Sequence, residues 1–163
     1  MRALKNIINF LDQVLLWIAG FFLVAMIFMT GANILIRIFW MPIRGTYELM
    51  GYFGAIVTAF ALGYTQYERG HIAVDILVLR FSEKTRKILN EINYFIGMVF
   101  FAIVGWRIAM HATTLWKTGE ITETLRIIYY PFTYGVSIGC FVLSLVLLVD
   151  LLKLFFADRE DSG

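Results

Sequence analysis

Four long stretches of this chain carry no Asp, Glu, Lys or Arg: residues 13–36, 49–67, 92–106 and 127–149, with 24, 19, 15 and 23 residues. A helix needs about 20 apolar residues to cross the hydrocarbon core of a bilayer. Inside that core only a helix or a closed barrel satisfies its own backbone polar groups. The first, second and fourth stretches reach or approach that length. The third reaches it only if Arg107 is included, because a further uncharged stretch, 108–116, follows it. Arg107 is then expected near the outer end of its helix, with its head snorkelling to the interface.

The pattern predicts an all-α integral membrane protein with four transmembrane helices, near residues 13–37, 46–67, 89–116 and 127–152. Residues 1–163 are expected to form one domain. The first run is too long for the apolar part of a signal peptide, and it is expected to be retained. Composition agrees: 60% of residues are AVILMFWYC and 16% are charged, against about a quarter charged in a soluble domain. This argues against a soluble enzyme and against disorder. A net charge of +2 offers no basic patch for nucleic acid. A single cysteine, Cys140, rules out an internal disulfide, a Cys-based zinc cluster and a CxxC pair.

Orientation follows from Lys and Arg in the flanks. Nine lie on one side: Arg2, Lys5, Arg69, Arg80, Lys84, Arg86, Lys87, Lys153 and Arg159. Five lie on the other: Arg37, Arg44, Arg107, Lys117 and Arg126. The richer side is expected to be cytoplasmic, with both termini inside. The middle connection is apolar for a loop, and His71, Asp75, Ser82 and Arg86 form a narrow polar stripe on it. It is expected to be an amphipathic helix, about 71–86, lying in the inner interface. A continuation of the second or third helix is the alternative. Arg69, His71 and Asp75, with Lys84, Arg86 and Lys87, would then sit at an elbow among lipid headgroups.

Helices in lipid associate by close packing rather than by a hydrophobic force. Gly51, Ala55, Ala59 and Gly63 recur at steps of four, and Gly135 and Gly139 have the GxxxG spacing. These residues, with Asn33, are candidates for a helix interface, either inside the chain or with another membrane subunit. Glu48 is expected to pair with Arg44 or Arg37. The chemistry search is otherwise thin. Two histidines, His71 and His111, fall on opposite sides, which disfavours bis-His haem ligation within one chain. No nucleotide loop, nucleophile elbow or metal-ligand spacing appears. No cofactor and no enzymatic activity are expected.

Several segments together resemble the small membrane subunit of the tripartite ATP-independent periplasmic (TRAP) transporters, the DctQ-like family. They are Asn33-Ile34-Leu35-Ile36-Arg37, Tyr47-Glu48-Leu49, and Ala61-Leu62-Gly63 leading into Arg69-Gly70-His71-Ile72-Ala73-Val74-Asp75. Residues 122–131 and the Gly135/Gly139 pair complete the set. The chain departs from the pattern at Ile128-Tyr129-Tyr130-Pro131, where a proline nearer the Leu-x-Ile step and a following Trp are expected.

The resemblance implies a non-catalytic subunit in a bacterial inner membrane. It would brace a large DctM-like membrane subunit that carries an organic acid, a carboxylate or sialic-acid-type substrate, together with Na⁺. It would also help dock a periplasmic substrate-binding protein, with Arg37, Arg44, Glu48, Lys117, Glu120, Glu123 and Arg126 as candidate contacts. A membrane anchor for a haem or quinone redox complex is the alternative, and a self-assembling exporter a weaker third.

Overall fold

The computed structural model describes residues 2–39, 41–67 and 83–160. These residues form four helices: α1 (Arg2–Phe39), α2 (Thr46–Tyr67), α3 (Glu83–Thr118) and α4 (Tyr130–Glu160). The only pairing outside helices among them is one antiparallel bridge, Ile121 to Ile128. The connections 41–45 and 119–129 share one end of the molecule, called here the loop end. The other is the termini end.

Local chemistry sets the helix limits. Gly45, at φ +80°, turns the chain into α2, and its carbonyl accepts the first helical bond, from Leu49 N–H at 3.2 Å. The Leu125 side chain occupies the space a Cβ at residue 45 would need, so only glycine serves there. Gly119, at φ +65°, follows the last residue of α3. The expected start of the fourth helix at 127 is corrected to Tyr130, because residues 127–129 belong to the turn before it. Pro131 falls in the first turn, where its missing N–H breaks no helical bond. The structure also revises the expected 71–86 helix. Residues 83–86 are the first turn of α3 and run straight into the third span, while 71–82 lie outside the described residues.

Three helices are long and apolar enough to cross a membrane: Phe10–Phe39, Ile88–Thr118 and Tyr130–Leu154. At 22 residues, α2 has the length, about 33 Å. Its three glycines, four tyrosines, Gln66 and threonines keep it less apolar.

The helices are arranged in the order α1, α2, α4, α3. Here α1 packs on α2 and touches α4 lightly, α2 packs on α4, and α4 packs on α3. Half of the α4 span is buried, against 11% for each of the α1 and α3 spans. The core joins Leu15 and Ala19 of α1, Ile56, Ala59 and Phe60 of α2, and Val142 and Val146 of α4. On the other side of α4 hydroxyls make the joint. Ser137 donates to the Gly105 carbonyl at 2.8 Å, and Ser144 to the Met98 carbonyl at 3.0 Å. Such bonds spend the hydroxyl proton on a helix carbonyl rather than leaving it unpaired in an apolar setting.

Candidate functional site: the loop-end cap and the helix faces

The two loop-end connections are built into one cap. Asn33, in the last turns of α1, accepts the Ile43 N–H at 2.8 Å, and Thr46 donates to the Ile43 carbonyl at 2.9 Å. Facing this, residues 121–128 fold back on themselves. Thr122 N–H donates to the Ile127 carbonyl at 3.0 Å, and Ile127 N–H to the Thr122 hydroxyl at 3.3 Å. Arg126 takes the left-handed conformation, φ +53°, that closes the turn. For a residue with a Cβ this conformation costs roughly 1–2 kcal/mol.

Glu48 holds the two connections together. One carboxylate oxygen accepts Thr124 N–H at 2.8 Å and the other accepts Leu125 N–H at 3.2 Å. The expected pairing with Arg44 or Arg37 is therefore corrected. The turn presents two adjacent N–H groups, and a carboxylate in the first turn of the facing helix matches both. A chain of ring contacts, stacked at the cap and tilted deeper in, runs from the cap into the core. Tyr129 lies 5.4 Å from Tyr52, Tyr52 5.5 Å from Phe132, Phe132 6.0 Å from Phe53, and Phe53 4.9 Å from Phe22.

The cap displays its charges. Arg37, Arg44, Lys117, Glu120, Glu123 and Arg126 are all exposed. Glu120 is already engaged, accepting the Tyr129 hydroxyl proton at 2.8 Å. Four exposed cations stand against the two exposed carboxylates Glu120 and Glu123, so the displayed charge is net cationic, on a support whose backbone is fastened at several points.

The small residues do not share one face. Steps of four advance the helix by about 40° more than a full turn, so four such residues drift by about 120°. Ala59 and Gly63 face inward and are buried, whereas Gly51 and Ala55 are exposed, and no atom lies within 4 Å of a Cβ built at Gly51. Gly135 lies against Ile56 and Phe60, and Gly139 against the backbone of Ala59. The interior members of the expected interface are therefore occupied by this chain's own helices, and Gly51 and Ala55 are the open ones.

Sequence reasoning missed Asp12. It is 3% exposed, and neither carboxylate oxygen has a hydrogen-bond partner among the described residues. One oxygen lies over Gly63, 2.8 Å from where a Cβ would be. Asp12 immediately precedes the first uncharged run, outside the stretches that drew attention. Nothing local signals that the facing helix has a glycine at that level. Gln66, one turn beyond Gly63, is also buried. On α4, Lys153 pairs with Asp150 at 2.5 Å.

Arg69, His71 and Asp75 lie outside the described residues, as do the side chains of Lys84, Arg86 and Lys87. Among the described residues, no group of three or more His, Cys, Asp or Glu comes together to hold a metal ion. The described arrangement offers surfaces, a fastened cap and a packed interior.

No curated protein and no solved structure matches the chain significantly. The chain does match the family described as "Tripartite ATP-independent periplasmic transporters, DctQ component", over residues 26–157. That stretch takes in the end of α1, the whole cap, α2, α3 and most of α4. The chain belongs to the DctQ family of TRAP transporter components.

Proposed function

We propose that this protein is the small, non-catalytic membrane subunit of a Na⁺-coupled TRAP transporter for organic acids, carboxylates or sialic-acid-type. Four helices, α2 included, cross a bacterial inner membrane with both termini in the cytoplasm. The loop end then faces the periplasm. The subunit extends the scaffold of a large DctM-like membrane subunit, with Gly51 and Ala55 among the surfaces left open for it. The cap presents Arg37, Arg44, Lys117 and Arg126 to an incoming periplasmic substrate-binding protein, where rim charges steer encounter and set register. The segment 71–86, with Arg69, His71, Asp75, Lys84, Arg86 and Lys87, lies at the inner headgroups and meets phospholipid.

The observation that carries this reading is the family match over most of the chain. The cap supports it, because a surface meant to receive a soluble protein gains from being pre-organised. The test is purification of the tagged chain in mild detergent. A much larger membrane protein is expected to accompany it in fixed ratio. A chain that never binds such a partner, yet transports a solute alone in proteoliposomes, overturns the proposal. A haem Soret band in the pure chain would point instead to a redox anchor.

A further inference from the structure

Arg107 is exposed on α3, and its depth is given by the hydrogen bonds that set α3 against α4. Gly105 is level with Ser137 through the 2.8 Å bond between them, and Thr113 meets the Tyr134 hydroxyl at 2.8 Å. Ser137 lies seven residues inside α4, which begins at Tyr130, or about 10 Å from that start. Arg107 is two residues nearer the loop end than Gly105, about 3 Å, and so sits about 7 Å beneath the level of the first residue of α4. Within its own helix it stands 11 residues before the last, Thr118. Snorkelling to the loop end is disfavoured. Side chains lean toward the N terminus of their helix, which for α3 is the termini end and the bilayer centre.

The guanidinium has no hydrogen bond or ion pair among the described residues. It interrupts a continuous exposed seam of Ile96, Phe100, Ile103, Arg107 and Met110. The spacings of four, three, four and three are those of a helix-packing stripe. Acyl chains suit the apolar members and do not suit an arginine whose side chain leans toward the bilayer centre. The opposite edge of the molecule differs. The exposed face of α1 carries Trp17, Phe21, Val24 and Phe28 within a run that has no charge from 13 to 36. Acyl chains suit all of it.

We propose that the α3 seam docks a transmembrane helix of the large membrane subunit, and that Arg107 pairs there with a carboxylate of that helix. The inference rests on the small-subunit function proposed above and assigns the edge of the protein that performs it. The α1 edge faces lipid.

Photo-crosslinking residues at Ile103 and Met110, with Phe21 on α1 for comparison, test this in native membranes. Ile103 and Met110 are expected to capture the large subunit, and Phe21 to capture lipid. Arg107→Leu should lower recovery of the large subunit at least tenfold while the chain stays inserted and helical. Arg107→Lys, which keeps the charge, should retain most of it. Adducts of Ile103 and Met110 only with lipid, or with a second copy of this chain, overturn the inference. So does Arg107→Leu that recovers the large subunit as wild type does. Capture of the large subunit from Phe21 alone removes the seam and leaves the small-subunit function standing. No capture from any position, together with no co-purifying large subunit, removes both.

Discussion

Gly139 of α4 lies directly against the backbone of Ala59 of α2: a Cβ at residue 139 would sit 2.6 Å from the Ala59 carbonyl oxygen. The obstacle is helix backbone, which cannot swing aside as a flexible side chain can. Gly139→Ala therefore has to separate α2 from α4. A loss of about 1–3 kcal/mol is expected, the usual range for overpacking a core. It should appear as a lower melting temperature of the detergent-solubilised chain. Gly51→Ala is the matched control, because nothing lies within 4 Å of its Cβ position. It should melt with the wild type or slightly above it, since alanine is the better helix former. Equal melting of all three proteins would contradict the α2–α4 contact.

The Asp12–Gly63 approach makes a second packing prediction. Gly63→Ala places a methyl group 2.8 Å from a carboxylate oxygen of Asp12. It should destabilise the chain, and Asp12→Ala should relieve the conflict. A double-mutant cycle over Asp12→Ala and Gly63→Ala is expected to show coupling of about 1 kcal/mol or more, the double variant being less damaged than the sum. Additive losses would mean that the two residues do not meet.

The Glu48 clamp is read most directly by hydrogen exchange. Its oxygens protect the amides of Thr124 and Leu125, which bond to no carbonyl in the structure. Glu48→Ala should speed exchange at these two amides by on the order of tenfold, because local opening governs protection. Amides in the middle of α4 should exchange as before. Glu48→Gln keeps a single acceptor oxygen, so one of the two amides should stay protected. Unchanged exchange at Thr124 and Leu125 in the alanine variant would remove the clamp from the account.

The cap charges can be separated from the cap conformation at residue 126. Arg126 holds φ +53°, so Arg126→Gly removes the cation while easing the backbone. Lys117→Glu reverses a charge at the end of α3 without touching the turn. If the cap steers a soluble partner, both variants should slow transport at limiting binding protein. The defect should shrink as ionic strength rises from low to physiological salt, where exposed charges are screened beyond about 8–10 Å. A defect that ignores salt would mean that steering is not its cause.

Membrane location and helical class were legible in the residues, because lipid exposure acts on each side chain separately. Uncharged runs of the right length announce themselves without any knowledge of their neighbours. The family segments, lying in local stretches such as Asn33 to Arg37, were legible for the same reason. Three readings needed the third dimension. The small residues of α2 looked like one stripe, but their rotation along the helix divides them between the core and the open surface. Glu48 had two arginines close in sequence, yet its partners are backbone amides 76 and 77 residues away. Asp12 carried no signal in the sequence, and only the packing of α2 brings Gly63 over it.

Arg107 shows the division most plainly. The sequence by itself determined that α3 carries a charge inside an otherwise apolar span. Only the tertiary structure decided which residues of α4 lie level with it, because that depends on how α3 is registered against α4. The bonds from Ser137 to Gly105 and between Thr113 and Tyr134 set that register. Hydropathy is additive along a chain and can be read locally, whereas register is a relation between helices and exists only once they have packed.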